Sequence, residues 1–342
     1  MSFQVRTETR PTSGGQDGTV YLLEESGGAA RAEVWPAGGF NCHRWQIAQQ
    51  GTLWELLYSD PQFFHGAKPT RSGIPILFPF PNRIRAGRFS WAGPQYKLPL
   101  NDPAGKNAIH GFACRRPWRV VGHGANAHSA WVTGEFRGSL DAPEAHALWP
   151  ADYRVQITCR LEPRSLRLEA VVNNPDQVPL PFGLGYHPYF HVPFVPGQDA
   201  AAFRAQASPE QFWVLKESLP TGGLQPVDAA RDLRKPRRLE ELSLDDVLHC
   251  GPALAGAPPA PFIHRASVFS PENGDKGVRI ETSPGYRELV VFTPPHRQAI
   301  CFEPYTCTTD AINLEQQGVD AGLLVLRPGE HWQGEVRFSC VG

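Results

Sequence analysis

The sequence predicts an all-β protein arranged as one large, mostly antiparallel sandwich, and three observations carry that expectation. Apolar and polar residues alternate at a period of two in several short segments. Helical periodicity is weak throughout, and 34 prolines and 33 glycines are spread over 342 residues, not gathered into a linker. Alternation sends one set of side chains to a core and the other to water, as a half-buried strand requires. Frequent Gly and Pro separate such strands by turns, and two packed layers are the economical way to bury their apolar faces.

Residues 1–18, rich in Thr, Ser, Gly and Gln, read as a flexible N-terminal tail, and residues 19–342 as a single domain; a division near residue 200 is the alternative. Short strands are expected at 20–24, 32–35 and 45–48, where Gly and Pro interrupt apolar segments. Tyr153–Leu161 has apolar residues at 153, 155, 157, 159 and 161 against Arg154, Gln156, Thr158 and Arg160. Leu166, Leu168, Ala170 and Val172 continue the period, so Glu162–Ser165 reads as a hairpin turn. Trp332, Gly334, Val336 and Phe338 repeat it at the C-terminus. Further strands are expected at 131–136, 278–282, 288–292 and 299–303. One short helix is expected within 239–248, limited upstream by Pro236.

The formal net charge of -1 argues against nucleic acid or an anionic membrane as the main partner, since both reward a basic excess. No apolar run approaches the ~20 residues needed to cross a bilayer. The cysteines at 42, 114, 159, 250, 301, 307 and 340 are odd in number and form no C-x-x-C pair, so neither a disulfide framework nor a zinc ribbon is indicated. A cytoplasmic protein with reduced thiols and no metal is expected, as a monomer or homodimer.

The segment GLGYHPYFHV (183–192) sets His187 before a proline among aromatics. A residue preceding proline is held in extended backbone, so His187 projects from a strand-like segment, and imidazole exchanges protons near neutrality. A matching base is Glu303 in QAICFEPYTCTTDAIN (298–313), also before a proline. On the 299–303 strand Glu303 shares a face with Ala299 and Cys301, while Ile300 and Phe302 point the other way. Small neighbours leave room for a ligand above that face. A satisfied core histidine and a surface glutamate are the alternative for the pair.

Arg83 in FPNRIRAGRF and His110 in NAIHGF add two further polar candidates, whose plainer roles are a loop arginine on backbone carbonyls and a turn histidine ahead of Gly111. His187 and His191 have H-x3-H spacing, which chelates one metal from a helix. On a strand, four residues span about 13 Å, too far for ligands at ~2.1 Å from one ion.

Taken in order, FPNRIRAGRF, NAIHGF, GYHPYF and FEPYTCTTDAIN resemble the aldose 1-epimerase (galactose mutarotase) family, from about residue 20 to the end. The resemblance implies a β-supersandwich and a cofactor-free interconversion of the α and β anomers of an aldose. It implies His187 as general acid at the ring oxygen, Glu303 as general base at the anomeric hydroxyl, and His110 and Arg83 as sugar-binding residues. It also implies a sugar-binding aspartate between Leu242 and Leu248, for which Asp245 fits better than Asp246. Tyr189, Phe190 and Tyr305 would wall the sugar or pack the core. HGFACRRPW (110–118) is similar to the hexose-6-phosphate mutarotase branch, in which Arg115 and Arg116 would meet a phosphate; a solvated loop pair is the other reading. A non-catalytic carbohydrate-binding protein on the same fold is the alternative from outside enzymology.

Overall fold

Two large antiparallel sheets enclose the main core of the computed structural model, which describes residues 2–49, 51–251, 262–271 and 276–342. One has nine strands, ordered 119–125, 130–137, 154–162, 165–173, 331–341, 276–282, 263–270, 204–207 and 237–238. The other has eight, running 219–226, 211–216, 245–249, 288–292, 299–305, 185–186 and 76–77, with 189–191 also paired to 299–305. Strands from both sides of residue 200 are interleaved in each sheet, so the chain does not divide there. The architecture is the expected all-β one.

The alternating segments behave as their pattern requires. Along Arg154–Glu162 every second side chain is buried, and register pairs Glu162 with Ser165 across a tight turn. Inward residues of both sheets meet in one core: Val155, Leu166 and Phe338 from the nine-stranded sheet, Leu289, Val291, Ile300 and Phe302 from the other. Phe190 and Phe338 join the two layers edge to face at 5.4 Å. Burying a phenylalanine of this kind contributes about 1.5–3 kcal/mol.

Two expectations are corrected. The supposed tail contains a strand, Phe3–Thr9, paired residue for residue with Thr19–Glu25. Only Phe3 of that strand is buried; an edge strand can be held by backbone pairing and by pairs such as Arg6–Glu24, so its polar composition resembled a tail. The expected 239–248 helix is a short 3-10 turn at Leu239–Glu241 followed by the strand Asp245–His249. Val247 and Leu248 are both buried, on opposite faces of an interior strand. Burial on both faces erases the alternation that marks a strand.

Candidate active site

The site lies on the face of the eight-stranded sheet turned away from the main core. As the alternation on 299–305 requires, Ile300 and Phe302 enter the core while Cys301, Glu303 and Tyr305 face the opposite side. Cross-strand register carries this face sideways. Asp245 is opposite Phe292, Phe292 opposite Cys301, and Cys301 opposite Tyr189; Val290 is opposite Glu303. Loops from the first third of the chain close the other wall and supply Arg83 and His110. Together they form a cavity of about 290 Å³, near the small end of the ~300–1,000 Å³ range of small-molecule sites, which suits one sugar ring.

All five residues singled out in the sequence, His187, Glu303, Arg83, His110 and Asp245, line this one cavity. His187 sits between the strands 185–186 and 189–191, its backbone N–H donating to the Pro75 carbonyl at 3.1 Å. Its ring lies flat on Tyr189, with centroids 4.7 Å apart and planes 3° from parallel. Tyr189 is itself held, its hydroxyl donating to the Thr70 carbonyl at 2.7 Å. His187 Nε2 lies 3.3 Å from Glu303 Oε1, and the Tyr305 hydroxyl donates to Glu303 Oε2. The acid and base candidates are therefore in contact, and each is clamped by a tyrosine.

Burial governs the electrostatics of the pair. It drives the His187 imidazole down to about 3 and pushes the Glu303 carboxyl well above its ordinary value, with the Tyr305 hydrogen bond opposing and Asp245 adding to the rise. Both shifts have one cause, since a low-dielectric site disfavours charge. Groups in contact titrate as a unit. Between the lowered pKa of the imidazole and the raised pKa of the carboxyl the pair holds one proton, which can rest on either member: as neutral imidazole with carboxylic acid, or as imidazolium with carboxylate.

His110 is placed by strain. It adopts φ 65°, with its backbone N–H donating to the Asn82 carbonyl at 2.8 Å. The next residue must be glycine, because a Cβ on Gly111 would lie 2.2 Å from the Phe78 carbonyl oxygen. The turn presents the His110 ring edge-on to His187 at 5.7 Å; burial, then His187, keeps its pKa well below the usual value. The Nδ1 atoms of both rings are buried without a hydrogen-bond partner among the described residues. Arg83 donates to Asn82 Oδ1 at 3.0 Å and sits 3.6 Å from Asp102. Asp102 in turn accepts from the backbone of Lys106 and Asn107 and from the Asn107 side chain.

The Asp-Asp pair resolves by strand alternation: Asp245 opens to the cavity, while Asp246 accepts from Arg231 at 2.7 Å away from it. The two candidate arginines also part. Arg116 pairs with Glu144, whereas Arg115 lines the cavity. Of the aromatics, Tyr189 and Tyr305 wall the site and Phe190 is core. Sequence reasoning missed Lys68, Arg71, Asn82, Asp102 and Phe292. Only Phe292 carried a usable signal, as the last residue of the expected 288–292 strand, which pairs with the strand of Glu303.

His191 does not join His187; its ring lies 3.3 Å from the Glu55 carbonyl. A different trio, His187, Cys301 and Glu303, has donor atoms within 4.8 Å of one another. Ligation requires deprotonated donors, and burial pushes both the Cys301 thiol and the Glu303 carboxyl well above their usual values. The trio is better suited to holding protons than to holding a cation. Exhaustive dialysis against EDTA should leave activity unchanged. Loss of activity, restored by stoichiometric zinc, would put a metal in place of the proton pair.

Large antiparallel sheets with titratable and hydrogen-bonding groups gathered around one cleft match the all-β fold of galactose mutarotase-like proteins. A sequence profile for aldose 1-epimerase matches residues 28–339, and the chain belongs to the aldose 1-epimerase family. It is 25% identical over 303 residues to the uncharacterized protein YphB of Escherichia coli K12, covering 85% of this chain and 93% of that one. A galactose mutarotase-like protein of Clostridium acetobutylicum superposes with a TM-score of 0.84 at 22% identity, covering 100% and 99% of the two chains. Galactose 1-epimerase of Lactobacillus acidophilus NCFM superposes at 0.72 with 18% identity, covering 99% and 98%. Among the described residues no helix is long and apolar enough to cross a membrane.

Proposed function

We propose that the cleft interconverts the α and β anomers of an aldose, with His187 as acid and Glu303 as base. The 3.3 Å contact between His187 Nε2 and Glu303 Oε1 carries this reading. Mutarotation removes a proton from the anomeric hydroxyl and delivers one to the ring oxygen. Those oxygens share one carbon, so the groups serving them must themselves be neighbours. In the imidazolium–carboxylate form Glu303 takes the O1 proton as His187 protonates O5. The C1–O5 bond breaks and a C1=O1 carbonyl forms. Rotation about C1–C2 presents the other carbonyl face, and as the ring closes Glu303 returns its proton to O1 while His187 takes the proton back from O5. No external proton, electron or group is consumed.

Arg83 and Asp245 are the hydrogen-bonding partners for ring hydroxyls, and His110 stands beside the ring oxygen. The described cysteines are all free thiols, as a reducing cytoplasmic setting would leave them, and the partner is a small-molecule sugar. The test is a panel of freshly dissolved single-anomer aldoses and their phosphates followed by polarimetry. At least one should approach equilibrium faster in proportion to enzyme added. If none did, the mutarotase reading would give way to that of a binding protein.

A further inference from the structure

We propose that Tyr305 is a positioning residue of the proton transfer, holding Glu303 Oε2 so that Oε1 alone shares a proton with His187 and then takes the proton of O1; this rests on the mutarotase reading above. The Tyr305 hydroxyl donates to Oε2, while His187 Nε2 faces Oε1 at 3.3 Å. The two carboxyl oxygens are therefore distinguished before any sugar arrives. An oxygen already accepting from a phenol is the poorer place for a proton, so a protonated Glu303 carries it on Oε1, towards His187. Once that proton has moved to Nε2, Oε1 is the oxygen open to O1. As Nε2–H turns from Oε1 to the ring oxygen, the bond from Tyr305 is the one the carboxylate keeps. The O1 proton passes to Oε1, the Nε2 proton passes to O5, and Tyr305 retains its own throughout.

The backbone places Tyr305 for this contact. It lies two residues beyond Glu303 on one strand, hence on the same face, and it is fully buried. Across one edge of that strand it is opposite Gly185, two residues ahead of His187, and a Cβ there would lie 2.4 Å from the tyrosine ring. The segment that carries the acid thus leaves the space in which the tyrosine holding the base lies. Across the other edge Tyr305 is opposite Glu288, a second buried carboxyl, whose oxygens are already engaged: Trp213 Nε1 donates to Oε2 at 3.0 Å and His249 Nδ1 lies 3.0 Å from Oε1. The ionisable groups facing Glu303 besides His187 and Tyr305 are Asp245, Arg83 and Cys301. Burial and the neighbouring Glu303 raise the Tyr305 phenol well above its ordinary pKa, so it stays a donor and does not compete as the base.

The experiment uses Tyr305→Phe in the full chain, which keeps the ring beside Gly185 and removes only the hydroxyl. A hydrogen bond to a charged acceptor is worth roughly tenfold to a hundredfold, and here it favours the imidazolium–carboxylate form. That form and its neutral counterpart hold the same number of protons, so kcat/KM for NMR anomer exchange should fall about 10- to 100-fold evenly across the plateau. The fall should lie in kcat, with calorimetric sugar affinity within a few-fold of wild type. The Tyr305 bond lowers the Glu303 pKa; without it that pKa rises further, and the alkaline limb moves to higher pH. The acid limb, where His187 gains a proton beside an already neutral Glu303, should stay in place. Site-specific 3-fluorotyrosine at 305, a stronger donor of nearly the same size, should move the alkaline limb to lower pH. Tyr186→Phe removes a buried hydroxyl without a hydrogen-bond partner among the described residues and should leave the rate and both limbs as in wild type. Difference infrared spectroscopy, each protein against its own Glu303→Gln counterpart, reads the same shift without turnover: the protonated Glu303 band should persist to higher pH in Tyr305→Phe.

A wild-type rate and profile in Tyr305→Phe would overturn the inference and leave the mutarotase reading standing. A lowered plateau with both limbs unmoved would equally overturn it, because Tyr305 would then only fill space. If the wild type exchanged no aldose, the mutarotase reading itself would fail and the infrared titration would decide alone. An unmoved Glu303 band would then overturn the hold of Tyr305 on Glu303, and a band persisting to higher pH would bear it out.

Discussion

Glu303→Gln is expected to slow anomer exchange by at least about 100-fold while sugar affinity stays within a few-fold. The magnitude follows from the loss of one positioned proton-transfer group, worth typically 10²–10⁴-fold, or upwards of ~2.7 kcal/mol at about 1.4 kcal/mol per factor of ten. The substitution is chosen because it isolates chemistry from structure. Glu303 is 2% exposed, so a truncation would open a cavity and strand the Tyr305 hydroxyl, whereas glutamine keeps the volume and an amide oxygen to accept from Tyr305. What it cannot do is take the O1 proton. Exchange rates by NMR or polarimetry, set beside calorimetric affinity and a circular dichroism spectrum, separate the two effects. Near wild-type turnover in this variant would remove Glu303 as the base and revive the reading of a binding module that retains the pocket without its chemistry.

How far the sequence foretold this site depended on whether local backbone periodicity determined the geometry. Strand alternation in 299–303 put Glu303, Cys301 and Ala299 on one face, and the sheet keeps them there. The extended backbone imposed by Pro188 likewise set His187 between two strands. Contacts between segments far apart in sequence were not legible. Asp102 holds Arg83 across a loop, and nothing in NDPAGKN says which of its polar groups will accept from which backbone N–H. Lys68 and Arg71 reach the cleft only because their turn packs on the turn that ends at Arg115. Asp245 was reached through family resemblance, since its strand is buried on both faces and read as helix. The identity of the fold thus came from short motifs and alternation, and the charge on the rim of the cleft only from packing.

His187→Asn should bring a comparable loss, about 100-fold or more, and it also changes the sign of the pH dependence. In the wild type the working state holds one proton on the pair. As pH falls through the low pKa of His187, about 3, a second proton is added and the base is lost. As pH rises through the raised pKa of Glu303, the shared proton leaves and the acid is lost. The kcat/KM profile, which reports the free enzyme, should therefore be a broad plateau whose alkaline limb lies well above the ordinary carboxylate range. Asparagine carries no proton to donate, so the residual rate depends on Glu303 alone and requires it ionised. That rate should rise with pH over the interval in which the wild-type rate falls. Any substitution that merely loosened the pocket would lower the plateau and keep its shape, so a descending alkaline limb in the variant would show that His187 does not share the proton with Glu303.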